Sequence, residues 1–410
     1  MYKFAVKARL RRVAKQPPKA VRSIMKIMCG LLLLLSVASK AGAWGGTAHE
    51  MIIQESLKDV AREWGLDKPV TVTPFDDFLQ KLAKENPRIQ TRGDFAKWLR
   101  INPDSPFDKP SKLETIGAPI TPYQILSFYA PRSDDTRDVN LPYDKGEQFW
   151  FGSGTKTGSQ AFRHMEKPPF DLLHPLNSAG FPLGAIGQAS ERGQIYFDLA
   201  LLAHRVGEPY WAWNFLGCAF HYLEDLGQPY HSAQLLPPMA WHGLLAYLKW
   251  GWRADFGFIK TVTHVAANLH HYFEGYVDAF LEAPDHKAAA HKTAALWKTA
   301  LRGRDVLDTR VPVQTLAKND RNLSNRFVFE SVQATLLMTD KSLLGPRTYQ
   351  IQDEEHEHAE DPSLYFNPDG SARVVAASQI ATLVQTLFKN QGTVVRTTVR
   401  QFLEKTGENP

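Results

Sequence analysis

Cysteine is nearly absent from this chain: Cys29 and Cys218 are the only two in 410 residues. A disulfide framework is therefore excluded as the main source of stability. Acidic residues are missing from residues 1–43, which hold ten of the 48 Lys and Arg and none of the 43 Asp and Glu. The formal net charge of +5 belongs to that stretch, and the rest of the chain, with 38 basic against 43 acidic residues, is mildly acidic. Such a body argues against a broad nucleic-acid footprint. A membrane-spanning run is lacking too, since the apolar segment from Ile27 to Ala38 is short of the roughly 20 residues that cross a bilayer. The glycines around Gly152, Gly154 and Gly158 lack the Lys and Ser/Thr spacing of a phosphate-binding loop. No internal repeat or long linker is present.

The basic stretch, the apolar run centred on Leu31–Leu35 and the small residues Ala41-Gly42-Ala43 together read as a long secretory signal peptide over residues 1–43. Arg11-Arg12 lies too far ahead of the apolar run to make a clear twin-arginine signal. Cleavage after Ala43 predicts a secreted or periplasmic protein beginning at Trp44, with its free amine five residues from His49. Cys29 would leave with the leader, so Cys218 could form no intrachain disulfide. A metal cluster is then a natural substitute staple, because binding to the native state stabilises it.

Hydrophobic periodicity predicts an all-α protein. Two long helices run from Gln188 to Asp225 with an interruption near Gly207-Glu208-Pro209, another covers Ala254 to Leu281, and shorter ones fall near Phe75–Lys84, Arg92–Leu99 and Tyr123–Tyr129. Beyond them, helices are expected at His291–Leu301, Arg326–Met338, Ala376–Asn390 and Val394–Thr406. The acidic run from Asp353 to Asp361, with His356 and His358, reads as a solvated loop.

The chemistry concentrates in F-H-Y-L-E-D-L-G-Q-P-Y-H-S-A-Q, Phe220–Gln234. His221 and Asp225 are four residues apart and share a helical face. Gly227, Gln228 and Pro229 then break the helix before His231. In N-L-H-H-Y-F-E, His270 and Glu274 repeat the four-residue spacing, while His271 points about 100° away. Imidazole and carboxylate donors gathered on packed helices suit zinc. His49 and His164 (in F-R-H) are further candidates, whereas His204 reads as a packing or surface histidine. The carboxylates of A-P-R-S-D-D-T-R-D, Ala130–Asp138, read by themselves as a solvated loop. The insertion over residues 235–253 carries Trp241, Trp250 and Trp252. It would form either a helix packed on the body or a rim that meets a lipid surface.

W-G-G-T-A-H (Trp44–His49), F-R-H164, F-H-Y-L-E-D-L-G-Q-P-Y-H (Phe220–His231) and N-L-H-H-Y-F-E (Asn268–Glu274) together resemble the zinc-dependent phospholipase C and P1/S1 nuclease superfamily, in order and local spacing from Trp44 to about Leu343. The resemblance implies a multi-helix bundle with a trinuclear zinc cleft in residues 44–345, followed by a helical extension, residues 346–410, packed on it. Asp135, His164, His221 and Asp225 would hold one zinc, with Asp134 the alternative to Asp135. His231, His270 and Glu274 would hold a second. The amine and carbonyl of Trp44, His49 and the bridging Asp225 would hold the third. Metal-activated water would attack phosphorus in line, with Asp135 as general base.

Two substrate classes follow. The opening G-T-A-H-E-M-I-I resembles bacterial phospholipases C, and the acidic body and aromatic insertion agree with a phospholipid or membrane surface as partner. No obligate protein partner is predicted. Single-stranded nucleic acid is the alternative substrate, since P1-type enzymes also open on Trp-Gly and aromatic side chains stack bases. A zinc-stapled helical protein without activity is the third class.

Overall fold

The computed structural model describes residues 44, 46–104, 106–110, 114–133, 163–167, 186–233, 258–282, 288–303, 305–338 and 376–408. Residues 1–43, Asp134 and Asp135, the insertion with Trp241, Trp250 and Trp252, and the acidic run from Asp353 to Asp361 lie outside the described residues. Within them the protein is helical, as the periodicity predicts. The α-helices are α1 (Gly46–Leu57), α2 (Phe75–Glu85), α3 (Arg92–Leu99), α4 (Pro122–Tyr129), α5 (Ala189–Arg205), α6 (Pro209–Leu226), α7 (Pro229–Ser232), α8 (Phe258–Leu281), α9 (Ala288–Leu301), α10 (Val313–Arg326), α11 (Val328–Met338) and α12 (Ala376–Thr406). No described helix is long and apolar enough to cross a membrane.

Helix α6 is the axis of the fold. Its sequence PYWAWNFLGCAFHYLEDL is apolar on all sides, and every residue from Tyr210 to Leu226 is buried. A helix of that kind must be surrounded. Helix α5 packs along it, α4 crosses it, and α1, α10 and α12 gather round it. Pro209 at its first position suits a helix start, where the missing N–H loses no bond. Helix α4 starts on a capping box formed by Thr121 and Gln124.

Two short ladders tie loops to this frame. Val70 pairs with Ile120 and Thr71 with Pro119 (β1, Val70–Thr71, with β2, Pro119–Ile120), while Glu166 pairs with Gly187 and Lys167 with Ile186 (β3, Glu166–Lys167, with β4, Ile186–Gly187). Gly187 has φ +102°, and a Cβ there would lie 1.9 Å from the Met165 carbonyl oxygen, so only glycine fits. The second ladder fixes the segment that carries His164.

The C-terminal region differs from the sequence expectation. The two helices predicted near 376–390 and 394–406 are one helix of 31 residues, α12. Gly392 suggests a break, but its role is proximity: a Cβ at this position would lie 2.2 Å from the Leu301 carbonyl oxygen at the end of α9. Helix α12 packs against α1, α9, α10 and α11. Helix α10 is an element that the periodicity did not announce, because its buried face passes from Val313, Leu316 and Ala317 to the polar Asp320, Ser324 and Asn325.

Asp320 faces α12, accepting from Asn390 Nδ2 and, at 2.6 Å, from Gln391 Nε2. Burial outweighs these two donors and pushes its carboxyl from 3.8 up to about 8. The folded protein therefore keeps a proton that the unfolded chain releases. This contribution to stability is complete below about pH 4 and is lost as pH rises to about 8. Asp320→Asn is expected to remove that slope. Urea midpoints of wild type relative to the variant should fall between about pH 5 and about pH 8.5.

Candidate metal centre

The last two turns of α6 place His221 and Asp225 on one face, both fully buried. Gln228 then caps α7, its side-chain oxygen accepting from Tyr230 N, which brings His231 back beside the helix end. Helix α8 supplies His270 and Glu274, α1 supplies His49, and the segment before β3 supplies His164. All seven residues are buried, none more than 7% exposed.

They form two adjoining groups. In the first, His164 Nδ1 lies 2.8 Å from Asp225 Oδ2 and 2.8 Å from His221 Nε2. His221 Nε2 is 3.6 Å from the same Asp225 oxygen, while His49 Nε2 lies 3.6 Å from the other, Oδ1. In the second, His231 Nε2 is 2.9 Å from His270 Nε2, which is 2.6 Å from Glu274 Oε1. Donor atoms of His49, His221 and Asp225, and likewise those of His231, His270 and Glu274, lie within 4.8 Å of one another. The two groups meet where His231 Nδ1 donates to the His164 carbonyl.

Three imidazoles have their orientation fixed from behind. His221 Nδ1 is 2.6 Å from the Ala130 carbonyl oxygen, His231 Nδ1 reaches the His164 carbonyl, and His49 Nδ1 is 2.5 Å from Glu224 Oε2. A carbonyl oxygen can only accept, so Nδ1 of His221 and of His231 carries the proton and their Nε2 turns a lone pair toward the cluster; with Glu224 ionised, the same holds for His49. Histidines that bind metal are held in this way. Burial, then the neighbouring His270, lowers the pKa of His231 well below its ordinary value, which keeps the ring neutral and able to ligate. A donor set of imidazoles with buried carboxylates could hold a metal such as zinc.

Trp44 is buried against Phe273 and Phe388, with ring centroids 5.9 and 5.2 Å away, and its backbone nitrogen lies 3.4 Å from His49 Nε2. In the full chain this nitrogen belongs to a peptide; cleavage after Ala43 would make it an amine at the cluster. Asp134 and Asp135, and Trp241, Trp250 and Trp252, fall outside the described residues and are given no place here. His204 lies apart from the cluster, pairing with Glu408 at 3.1 Å and packing on Phe402.

Two residues of the centre carry no signal in the motif spacing. Gln228 caps α7 and donates to Glu274 Oε1 at 3.2 Å. Glu224 is fully buried beside Asp225 and holds His49. Burial, then Asp225 and then Asp320, raises its carboxyl well above the usual range, and a cation at the cluster would offset the Asp225 charge. The available signal was a second carboxylate in a helix otherwise almost free of charge. Comparison with family models, with curated proteins and with solved structures finds no match for the chain.

Gly217 links packing to this geometry. A Cβ there would lie 2.8 Å from Tyr129 Cβ, so glycine lets α4 approach α6 and sets the Ala130 carbonyl against His221. Gly217→Ala is expected to push α4 outward and destabilise the protein by about 1–3 kcal/mol, measured by urea unfolding.

Proposed function

We propose that this chain is an exported zinc-dependent phospholipase C, which hydrolyses the glycerol-side phosphodiester bond of phospholipids such as phosphatidylcholine to diacylglycerol and a phosphorylated headgroup. One observation carries the reading: two groups of buried imidazoles and carboxylates adjoin at the end of α6, and three of the rings are tied behind so that Nε2 faces inward. Zinc bound there would neutralise phosphoryl oxygens and lower the pKa of water for in-line attack.

The chain's own residues supply the framework. His231, His270 and Glu274 form one ligand position. Asp225 turns Oδ2 toward His164 and His221 and Oδ1 toward His49, which suits a carboxylate shared between two further positions. The geometry joins His49 to His221 through Asp225, and the motif resemblance divides them between ions, adding Asp135 to one and Trp44 to the other. Asp135 is assigned the general base on that resemblance. The lipid-facing rim is assigned to Trp241, Trp250 and Trp252 from the composition of their segment. No obligate protein partner enters this scheme.

Zinc-loaded protein is expected to release diacylglycerol from phosphatidylcholine vesicles and little mononucleotide from single-stranded DNA. His221→Ala and Asp225→Ala should each lower the rate by at least roughly 100-fold, since replacing even the groups behind metal ligands weakens such centres by about 10–100-fold. Mononucleotide without diacylglycerol would replace the phospholipase with a P1/S1-like nuclease. Bound zinc without turnover on either substrate would leave a zinc-stapled structural protein, and no zinc near stoichiometry would sink the metal centre itself. Mass analysis of the exported protein should place its first residue at Trp44.

A further inference from the structure

Glu224 sits at a junction that neither the motif spacing nor the proposed ligand set includes. Its carboxyl Oε2 lies 2.5 Å from His49 Nδ1, within hydrogen-bond distance. Its carbonyl, in the last turn of α6, accepts from the Trp44 indole Nε1 at 2.8 Å and from Gln391 Nε2 at 3.3 Å. One residue thus touches both members of the N-terminal segment that face the cluster, and also the C-terminal helix. Gln391 is fixed in turn by Asp320 at 2.6 Å, and Gly227 leaves room for it, since a Cβ there would lie 1.6 Å from Gln391 Nε2.

The contacts are directional. A carboxylate behind Nδ1 holds the proton on that nitrogen and fixes the plane of the ring, leaving Nε2 as the only donor atom for a metal. The indole bond sets Trp44 on the same turn of α6, which brings its backbone nitrogen to 3.4 Å from His49 Nε2. Without the carboxylate, His49 could rotate about its side-chain torsions or take the other tautomer. His231 and His270 do not depend on it, because His231 is held by the His164 carbonyl.

We propose that Glu224 is a positioning residue for one metal position only, the one built on the N-terminal segment, where it orients His49 beside Trp44 on the end of α6. The proposal rests on the reading of His49 as a zinc ligand. It predicts that Glu224 acts through His49 and leaves the His231, His270 and Glu274 position alone.

The test is zinc binding by the purified protein across a series of buffered free-zinc concentrations, with bound zinc counted per chain. Glu224→Ala is expected to weaken one class of site by about 10–100-fold and leave the remaining zinc at wild-type affinity. Glu224→Gln still offers an oxygen to Nδ1–H and should recover much of the loss. In a His49→Ala background, Glu224→Ala should change zinc binding by less than about twofold, because the two residues act as one unit. The proposal is overturned if Glu224→Ala weakens zinc equally with and without His49, if it weakens all classes together, or if it binds like wild type. A wild-type protein that binds no zinc would overturn the proposed function instead. That outcome is distinct from one in which wild type binds zinc and Glu224 proves irrelevant.

Discussion

A helix buried to its last residue has to find donors for its final carbonyl groups, because water cannot reach them. Helix α6 meets that requirement from four directions. Besides the closing turn of its own backbone, the Glu224 carbonyl receives the Trp44 indole and the Gln391 amide, the Leu226 carbonyl receives Ser232 Oγ at 2.5 Å, and the Gly227 carbonyl receives Ser324 Oγ at 2.6 Å. These donors come from the N-terminal segment, α12, α7 and α10. The need to satisfy one helix end therefore draws together elements from both ends of the described chain. Most of the cluster stands on or beside them.

Burial then governs the electrostatics. Asp225 and Glu224 are wholly excluded from solvent, and Glu274 nearly so. Carboxylates in such surroundings need protons, hydrogen-bond donors or cations. Imidazoles whose protons already point at carbonyl or carboxylate oxygens offer lone pairs to the interior rather than further protons. A site of this composition could hold metal ions. The same demand explains why the groups behind the ligands are as well placed as the ligands: an imidazole free to turn would present its N–H as readily as its lone pair.

The sequence made the local half of this arrangement legible. His221 with Asp225 and His270 with Glu274 follow from the four-residue period of a helix, and the Gly227-Gln228-Pro229 break correctly separates His231 from α6. Most helix positions were also readable, because their apolar stripes are uninterrupted. What was not readable depends on contacts between distant segments. Glu224 gains its role from His49, 175 residues away, and nothing in its own neighbourhood says so. Helix α10 hides because its stripe continues through buried polar residues. Gly392 misleads because a glycine required for close packing looks the same as one that ends a helix. His164 comes from a segment without periodicity and is placed by a two-residue ladder.

The direction of α6 carries a consequence for the order of events. An α-helix has the equivalent of about half a negative charge at its C-terminal end, and His221 and Asp225 lie in the last two turns of α6, close to that end. Under the proposed function, an anionic diester approaching the seam without metal would meet a field of its own sign, deepened by buried carboxylates. Cations arriving first would reverse that field. Were the chain the proposed diesterase, metal loading would come before substrate capture, so protein short of metal would be silent toward its substrate rather than merely slow.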